Sequence, residues 1–340
     1  MTWWEAVILG IVEGLTEYLP VSSTGHLLVV QNLLGIGTED ADSWKAANAF
    51  AICIQAGAII AVLGLYWQRV KQGIRGMLGP LGIGKGDEPG LRLFINLVVA
   101  FTPAAIIGVI ADDWIEANLF NAWTIVIAWA LGGVAILAVA YWKRGKYGNE
   151  HKGRDLDTMT WRMALAVGLI QCMAMMPGTS RSLVTIVGAI LIGLHVAAAV
   201  EFSFLLGVVT LLAATVYKAI DKTTVTVDGQ EQEIMLIGAM YAKYGVLNML
   251  IGVLAAWISA VVAIKWMVNY LKKHGMRVFG VYRIGIAVLA AVLIHYGYIQ
   301  ATTPDKATDS EVTAPEALST SPAAPPAPVQ RAHRSASSAG

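Results

Sequence analysis

"EGLTEYLPVSSTGH", residues 13–26, sets two carboxylates, a proline, a run of three hydroxyls, a glycine and a histidine into an otherwise apolar chain. The chain has 340 residues, 56% of them hydrophobic and only 14% charged, with a mean hydropathy of +0.62. Pro20 blocks a helix interior, so the apolar run 3–17 cannot continue through to 23–36. Neither piece alone spans the roughly 30 Å of a bilayer's hydrocarbon core. Backbone freed at membrane depth survives only where protein or a wet cavity covers it. The two pieces therefore read as a re-entrant helix pair. The runs 163–176 and 183–193, interrupted by "PGTSRS" at 177–182, repeat the pattern.

Around these pairs lie apolar runs long enough to cross a membrane, at 50–66, 94–111, 123–141, 203–217, 246–264 and 281–298. Their orientation follows from the basic residues. The stretches 67–92, 142–162 and 265–283 hold 5, 6 and 5 Lys or Arg, whereas 38–49, 112–122 and 218–245 hold 1, 0 and 3. Basic loops resist translocation, so the first three are expected in the cytoplasm. Counting outward from that assignment gives one re-entrant pair plus three spans, twice over and in opposite orientation. The expected fold is an all-α polytopic membrane protein with an inverted-topology repeat. Residues 1–301 form the membrane unit, with repeat one at about 1–142 and repeat two at about 160–300. Residues 302–340, rich in Pro, Ala, Ser and Thr, read as a disordered tail on the periplasmic side. No removable signal peptide is expected, because "MTWWE" lacks a basic start. Sequence echoes relate Gly14–Glu17 to Gly168–Gln171 and Pro20–Ser23 to Pro177–Ser180, with spacings that differ by three.

The polar residues in the two breaks point to phosphate chemistry. Glu13 and Glu17 share a helical face one turn apart. Two acids so placed repel each other in a low-dielectric setting, and a divalent cation such as Mg²⁺ or Ca²⁺ relieves that repulsion while binding substrate phosphates. Ser22, Ser23 and Thr24 stand at the start of a half-helix, where hydroxyls cap the helix and unpaired N–H groups attract an anion. His26 follows Ser23 by three residues and suits a base or proton shuttle for it. Arg181 needs a partner inside an apolar region, either phosphate oxygens gripped in bidentate fashion or one of the acids. Thr179, Ser180 and Ser182 can donate to phosphate or cap the second half-helix. Gln55, Glu201, His195, His274 and His295 receive no role. Cys53 and Cys172 lie in apolar stretches and suggest neither a disulfide nor a metal site.

"EGLTEYLPVSSTGH" and "PGTSRS" resemble the two signature regions of the undecaprenyl-diphosphate phosphatase family, also called the bacitracin resistance protein. The resemblance extends through "FAICIQAGAIIAVLGLYW" (50–67), "PAAIIGVI" (103–110), "EFSFLL" (201–206) and "VYRIGI" (281–286), covering about residues 1–300. It departs at Leu183 and Val209, where the family usually has glycine and proline. It implies a bacterial inner-membrane enzyme that removes the terminal phosphate of a polyprenyl diphosphate on the periplasmic side and requires a divalent cation. By the same resemblance the site is formed by Glu13, Glu17, Ser23, His26 and Arg181.

The expected activity is thus phosphoanhydride hydrolysis of a lipid diphosphate, with Glu13 and Glu17 on the metal, Arg181, Ser22, Thr24, Thr179 and Ser180 on phosphate, and Ser23 as nucleophile. Attack by His26 or by metal-activated water stays open. The alternative is a polyprenyl-phosphate transporter or flippase, because inverted repeats with broken helices are also transporter architecture. A soluble acid-phosphatase-like lipid phosphatase is excluded, since Val187 occupies the place of its second histidine. The expected partners are the lipid substrate and the membrane, with a homodimer compatible and no nucleic acid indicated.

Overall fold

The computed structural model describes residues 1–82, 87–142, 153–220, 222–227 and 230–301. The expected tail, 302–340, and part of the second basic loop, 143–152, lie outside the described residues. The chain is a helical bundle, in chain order α1 Trp3–Thr16, α2 Ser23–Leu34, α3 Ala41–Leu65, α4 Trp67–Leu78, α5 Glu88–Leu119, α6 Ala122–Trp142, α7 Trp161–Gln171, α8 Arg181–Ile192, α9 Val196–Ile220, α10 Leu236–His274 and α11 Arg277–His295. Six of these helices, α3, α5, α6, α9, α10 and α11, are long and apolar enough to cross a membrane. They match the six expected spans, of which the first runs one residue past α3 and the last three residues past α11. The protein is a multi-pass membrane protein.

The structure corrects several boundaries. The acidic stretch 38–49 is mostly not loop, because Asp40 caps α3 by accepting from the Ser43 N–H at 2.6 Å and the helix starts at Ala41. That hydrogen bond holds the Asp40 carboxyl below the usual carboxylate range. The first basic loop contains α4, whose Trp67, Ile74 and Met77 are exposed beside Arg69, Lys71 and Arg75. The stretch 218–245 holds a two-stranded antiparallel hairpin, β1 Lys222–Val227 and β2 Gln230–Met235, in which Val227 faces Gln230. The intervening Asp228-Gly229 is a strong hairpin signal that was legible in the sequence. Arg283, counted above among basic loop residues, lies in the second turn of α11 and is wholly buried.

The two interrupted helix pairs, α1–α2 and α7–α8, correspond in sequence at a constant offset of 158. Thr2 and Thr160 precede α1 and α7, and Ser22 and Ser180 precede α2 and α8 at the same positive φ of 74°. Gly35 and Gly193 end α2 and α8 in the left-handed region. The match extends to packing: Ala6 and Ala164, and Leu9 and Val167, are wholly buried. A Cβ on Gly10 would come within 2.3 Å of the Gly252 carbonyl oxygen, and one on Gly168 within 2.4 Å of that of Ala100. Glycine is thus required where α1 meets α10 and where α7 meets α5. Each half's first helix packs against a long helix of the other half, so the halves are interlocked. The constant offset pairs Glu13 with Gln171 and Ser22 with Ser180. The expected echoes paired Glu17 with Gln171 and Ser23 with Ser180, and so were displaced by up to one helical turn.

Candidate active site

The two breaks meet inside the bundle. α1 ends at Thr16, Pro20 lies in the turn, and α2 restarts at Ser23. On the other side a 3₁₀ turn at Cys172–Met175 follows α7, and α8 starts at Arg181. Ser22 and Ser180 both adopt a left-handed backbone, a strain of order 1–3 kcal/mol each that persists only where surrounding structure imposes it. Gly178 (φ 88°) packs against the Ile125 backbone, and a Cβ on Gly25 would strike the Trp129 ring at 2.4 Å. These contacts account for the glycines in "SSTGH" and "PGTSRS".

Between the turns runs a chain of hydrogen bonds. Ser23 Oγ donates to Glu17 Oε2 at 2.5 Å. Arg181 Nη2 donates to Glu17 Oε1 at 2.9 Å, forming a buried ion pair. Arg181 Nη1 donates to the Ser203 carbonyl at 3.0 Å, and its guanidinium lies 5.2 Å over the Tyr18 ring. Gly207 leaves room for the guanidinium, since a Cβ there would come within 2.0 Å of Nη1. Glu17 thus joins a hydroxyl from one break to a cation from the other.

Glu13 is wholly buried one turn earlier, and neither of its carboxylate oxygens has a hydrogen-bond partner. The Gln171 amide, its counterpart in the other half, is likewise buried without a partner. Buried polar atoms are rarely left so, and a hard cation with oxygen ligands would satisfy Glu13. Among the described residues no cluster of three or more His, Cys, Asp or Glu is assembled. A cation here would therefore draw its remaining ligands from amide oxygen, water or phosphate.

His26 is not bonded to Ser23. Its Nδ1 lies 2.6 Å from the Ser22 carbonyl oxygen, which can only accept, so Nδ1 carries the proton. Its Nε2 lies 2.8 Å from the Tyr282 hydroxyl, and the two rings stack at 5.7 Å. Ser180 caps α8 through the Leu183 N–H at 3.3 Å, while Ser182 donates to the Leu19 carbonyl at 2.8 Å, tying the two breaks together. Thr24 and Ser23 line a cavity of about 180 Å³ whose other walls include Gln55, Asp112, Glu116 and Lys218.

Sequence reasoning missed Arg283. Its guanidinium donates to the Pro20 and Gly178 carbonyls, at 3.3 and 2.9 Å, and to those of Ala128 and Trp129, at 2.8 and 3.3 Å. One buried cation thus fastens both turns to α6. Trp129 adds a hydrogen bond from Nε1 to the Val21 carbonyl at 2.8 Å. Arg283 and Tyr282 both lie in "VYRIGI", and a charged residue beside an apolar run was the signal available.

The family model described as "Bacitracin resistance protein BacA" matches residues 6–289. The chain belongs to this family. Its relatives include proteins named undecaprenyl-diphosphatase from Pseudomonas syringae pv. tomato, 38% identical over 295 residues, covering 87% of this chain and 95% of the relative. One from Methylococcus capsulatus is 38% identical over 298 residues, covering 87% and 97%. A clostridial one, from Clostridium tetani, is 34% identical over 289 residues, covering 85% and 95%. Both breaks of this BacA-family chain, and Arg283, fall inside the matched region.

Proposed function

We propose that this chain is a membrane diphosphatase that hydrolyses undecaprenyl diphosphate to undecaprenyl phosphate and inorganic phosphate. The observation that carries the reading is the Ser23–Glu17–Arg181 chain, which joins a hydroxyl, a carboxylate and a guanidinium from the two breaks, with Ser23 lining a cavity. The relatives named above carry the same activity in their names.

In the reaction, Ser23 Oγ attacks the terminal phosphorus, and its proton passes to Glu17, already its acceptor. The bond from phosphorus to the bridging oxygen breaks, and polyprenyl phosphate leaves. Water then cleaves the phosphoserine and releases inorganic phosphate. Arg181 exchanges Glu17 for phosphate oxygens as charge spreads over the equatorial positions. His26 holds the turn through Ser22, and its unprotonated Nε2, paired with the Tyr282 hydroxyl, serves as a proton acceptor in a shuttle. Ser22, Thr24, Thr179 and Ser180 line the phosphate approach at the two half-helix starts. Glu13 and Glu17 would hold a divalent cation, Mg²⁺ or Ca²⁺, which would neutralise part of the diphosphate charge.

The topology supports an outward-facing site. With Arg69, Lys71 and Arg75 of α4 on the cytoplasmic side, α5 runs outward from Glu88, and Asp112 and Glu116 at the cavity come near its outer end. We place the protein in the bacterial inner membrane with its cavity open to the periplasm and its repeats inverted. No specific observation favours the transport alternative. Purified protein in detergent is expected to release phosphate from farnesyl diphosphate, to stop with EDTA and to resume with excess Mg²⁺ or Ca²⁺. A well-folded protein that releases none would overturn the reading.

A further inference from the structure

The turn between α1 and α2 carries one polar group that the reaction above leaves unused. Tyr18 is wholly buried, and its hydroxyl has no hydrogen-bond partner. The ring is held on two sides. Phe204 of α9 meets it edge-on at a centroid distance of 5.0 Å, and the Arg181 guanidinium lies 5.2 Å over its face. Phe204 is itself braced by Tyr66 at 5.9 Å. A ring packed in this way cannot swing its hydroxyl away, so only rotation about the C–O bond remains. The hydroxyl lies within electrostatic reach of Arg181, Glu17 and Glu13, yet completes no hydrogen bond with any of them. Nε of the same Arg181 guanidinium is also buried without a partner. Two donors, one from each break, thus stand idle in one place, and buried donors are rarely left so.

We propose that Tyr18 is a further catalytic residue, whose hydroxyl, together with Arg181 Nε, donates to oxygens of the phosphoryl group under transfer. This deepens the diphosphatase reading and rests on it. Catalysis of phosphoryl transfer is mostly positioning and electrostatic stabilisation of charge spread over the equatorial oxygens, so every fixed donor aimed at them counts. A phenol suits the place because it adds a donor without adding a second buried cation beside Arg181. The donor is already fixed by its ring and already stripped of water, so it needs no reorganisation when the phosphate arrives. An internal water bridging Tyr18 to Glu13 would satisfy the same atoms with no part in the reaction, and removal of the hydroxyl separates the two.

Tyr18→Phe keeps both ring contacts and deletes only the hydroxyl. It is expected to lower kcat for farnesyl diphosphate about 10²-fold, the lower end for loss of one transition-state donor, while KM changes by less than about twofold. Its melting temperature in detergent is expected to stay level or rise, since the hydroxyl removed made no hydrogen bond. Tyr244→Phe is the control. Tyr244 of α10 is a second buried phenol whose hydroxyl has no hydrogen-bond partner, but it packs on Phe50 of α3 at 5.9 Å, away from both breaks, and its variant is expected to keep the wild-type kcat. A Tyr18→Phe protein with wild-type kcat would overturn the inference and leave the diphosphatase reading standing. So would an equal loss in Tyr244→Phe, or a loss in Tyr18→Phe accounted for by unfolding at the assay temperature. A wild type that releases no phosphate would bring down the diphosphatase reading, and the inference with it.

Discussion

Glu17→Gln is expected to lower kcat for phosphate release by about 10³, within the range for loss of a positioned general base. The reason is acceptor count. Glu17 offers Oε2 to the Ser23 hydroxyl and Oε1 to Arg181. An amide has one acceptor oxygen, so its NH₂ must face either the Arg181 guanidinium, donor against donor, or the hydroxyl whose proton it cannot take. Arg181 also loses the carboxylate that balances it in a buried setting, where an unpaired charge is costly. If Ser23 and Glu17 act as one unit, Glu17→Gln with Ser23→Ala should be hardly slower than either single variant, because such effects are not additive. Steady-state kinetics of the three proteins decide this. Losses that multiply in the double variant would show that the two side chains act independently.

Arg283→Met is expected to destabilise the fold by about 2–4 kcal/mol, at roughly 1–3 kcal/mol for each buried acceptor left without a donor. Ala128 and Trp129 lie within α6, where the helix offers their carbonyls other donors. Pro20 and Gly178 lie in the turns and would lose theirs. Arg283 stands among carbonyls, and removing a buried cation recovers part of its desolvation cost, which keeps the estimate moderate. Activity should suffer more than stability, because these two turns position Ser23 and Arg181. Lys should not substitute, since a single ammonium cannot reproduce the guanidinium fork across four carbonyls. Thermal unfolding in detergent alongside kcat tests this, and a variant of wild-type stability and rate would show that Arg283 fastens nothing.

The sequence disclosed those parts of the fold that depend on local chemistry. Six apolar runs became six long helices, because a run that cannot be solvated must be helical in lipid. Pro20 and the "PG" at 177–178 located both breaks, since proline and glycine act on the chain within a few residues. Long-range consequences were hidden. Nothing local announces that Tyr282, 256 residues from His26, turns the imidazole away from Ser23. Arg283 was counted as a loop cation because a charge beside an apolar run resembles a span end, yet the charge is buried and holds the turns. A correspondence between the two interrupted pairs was visible, but its register was not. Matching Gly14 to Gly168 was tempting by residue type, whereas the constant offset of the caps and turns pairs Gly168 with Gly10, one turn earlier, and both Gly10 and Gly14 meet the α10 backbone. Unpartnered oxygens on Glu13 are a fact of packing, and no sequence pattern states them.

In the proposed reaction Ser23, activated by Glu17, takes the phosphoryl group. The most direct measurement is to mix the protein with farnesyl diphosphate radiolabelled on its terminal phosphate, quench within the first turnover and map the label to a peptide. An acid-stable label is expected on Ser23, absent in Ser23→Ala. An acid-labile label on His26, or single-turnover release with no labelled protein at any time, would contradict it.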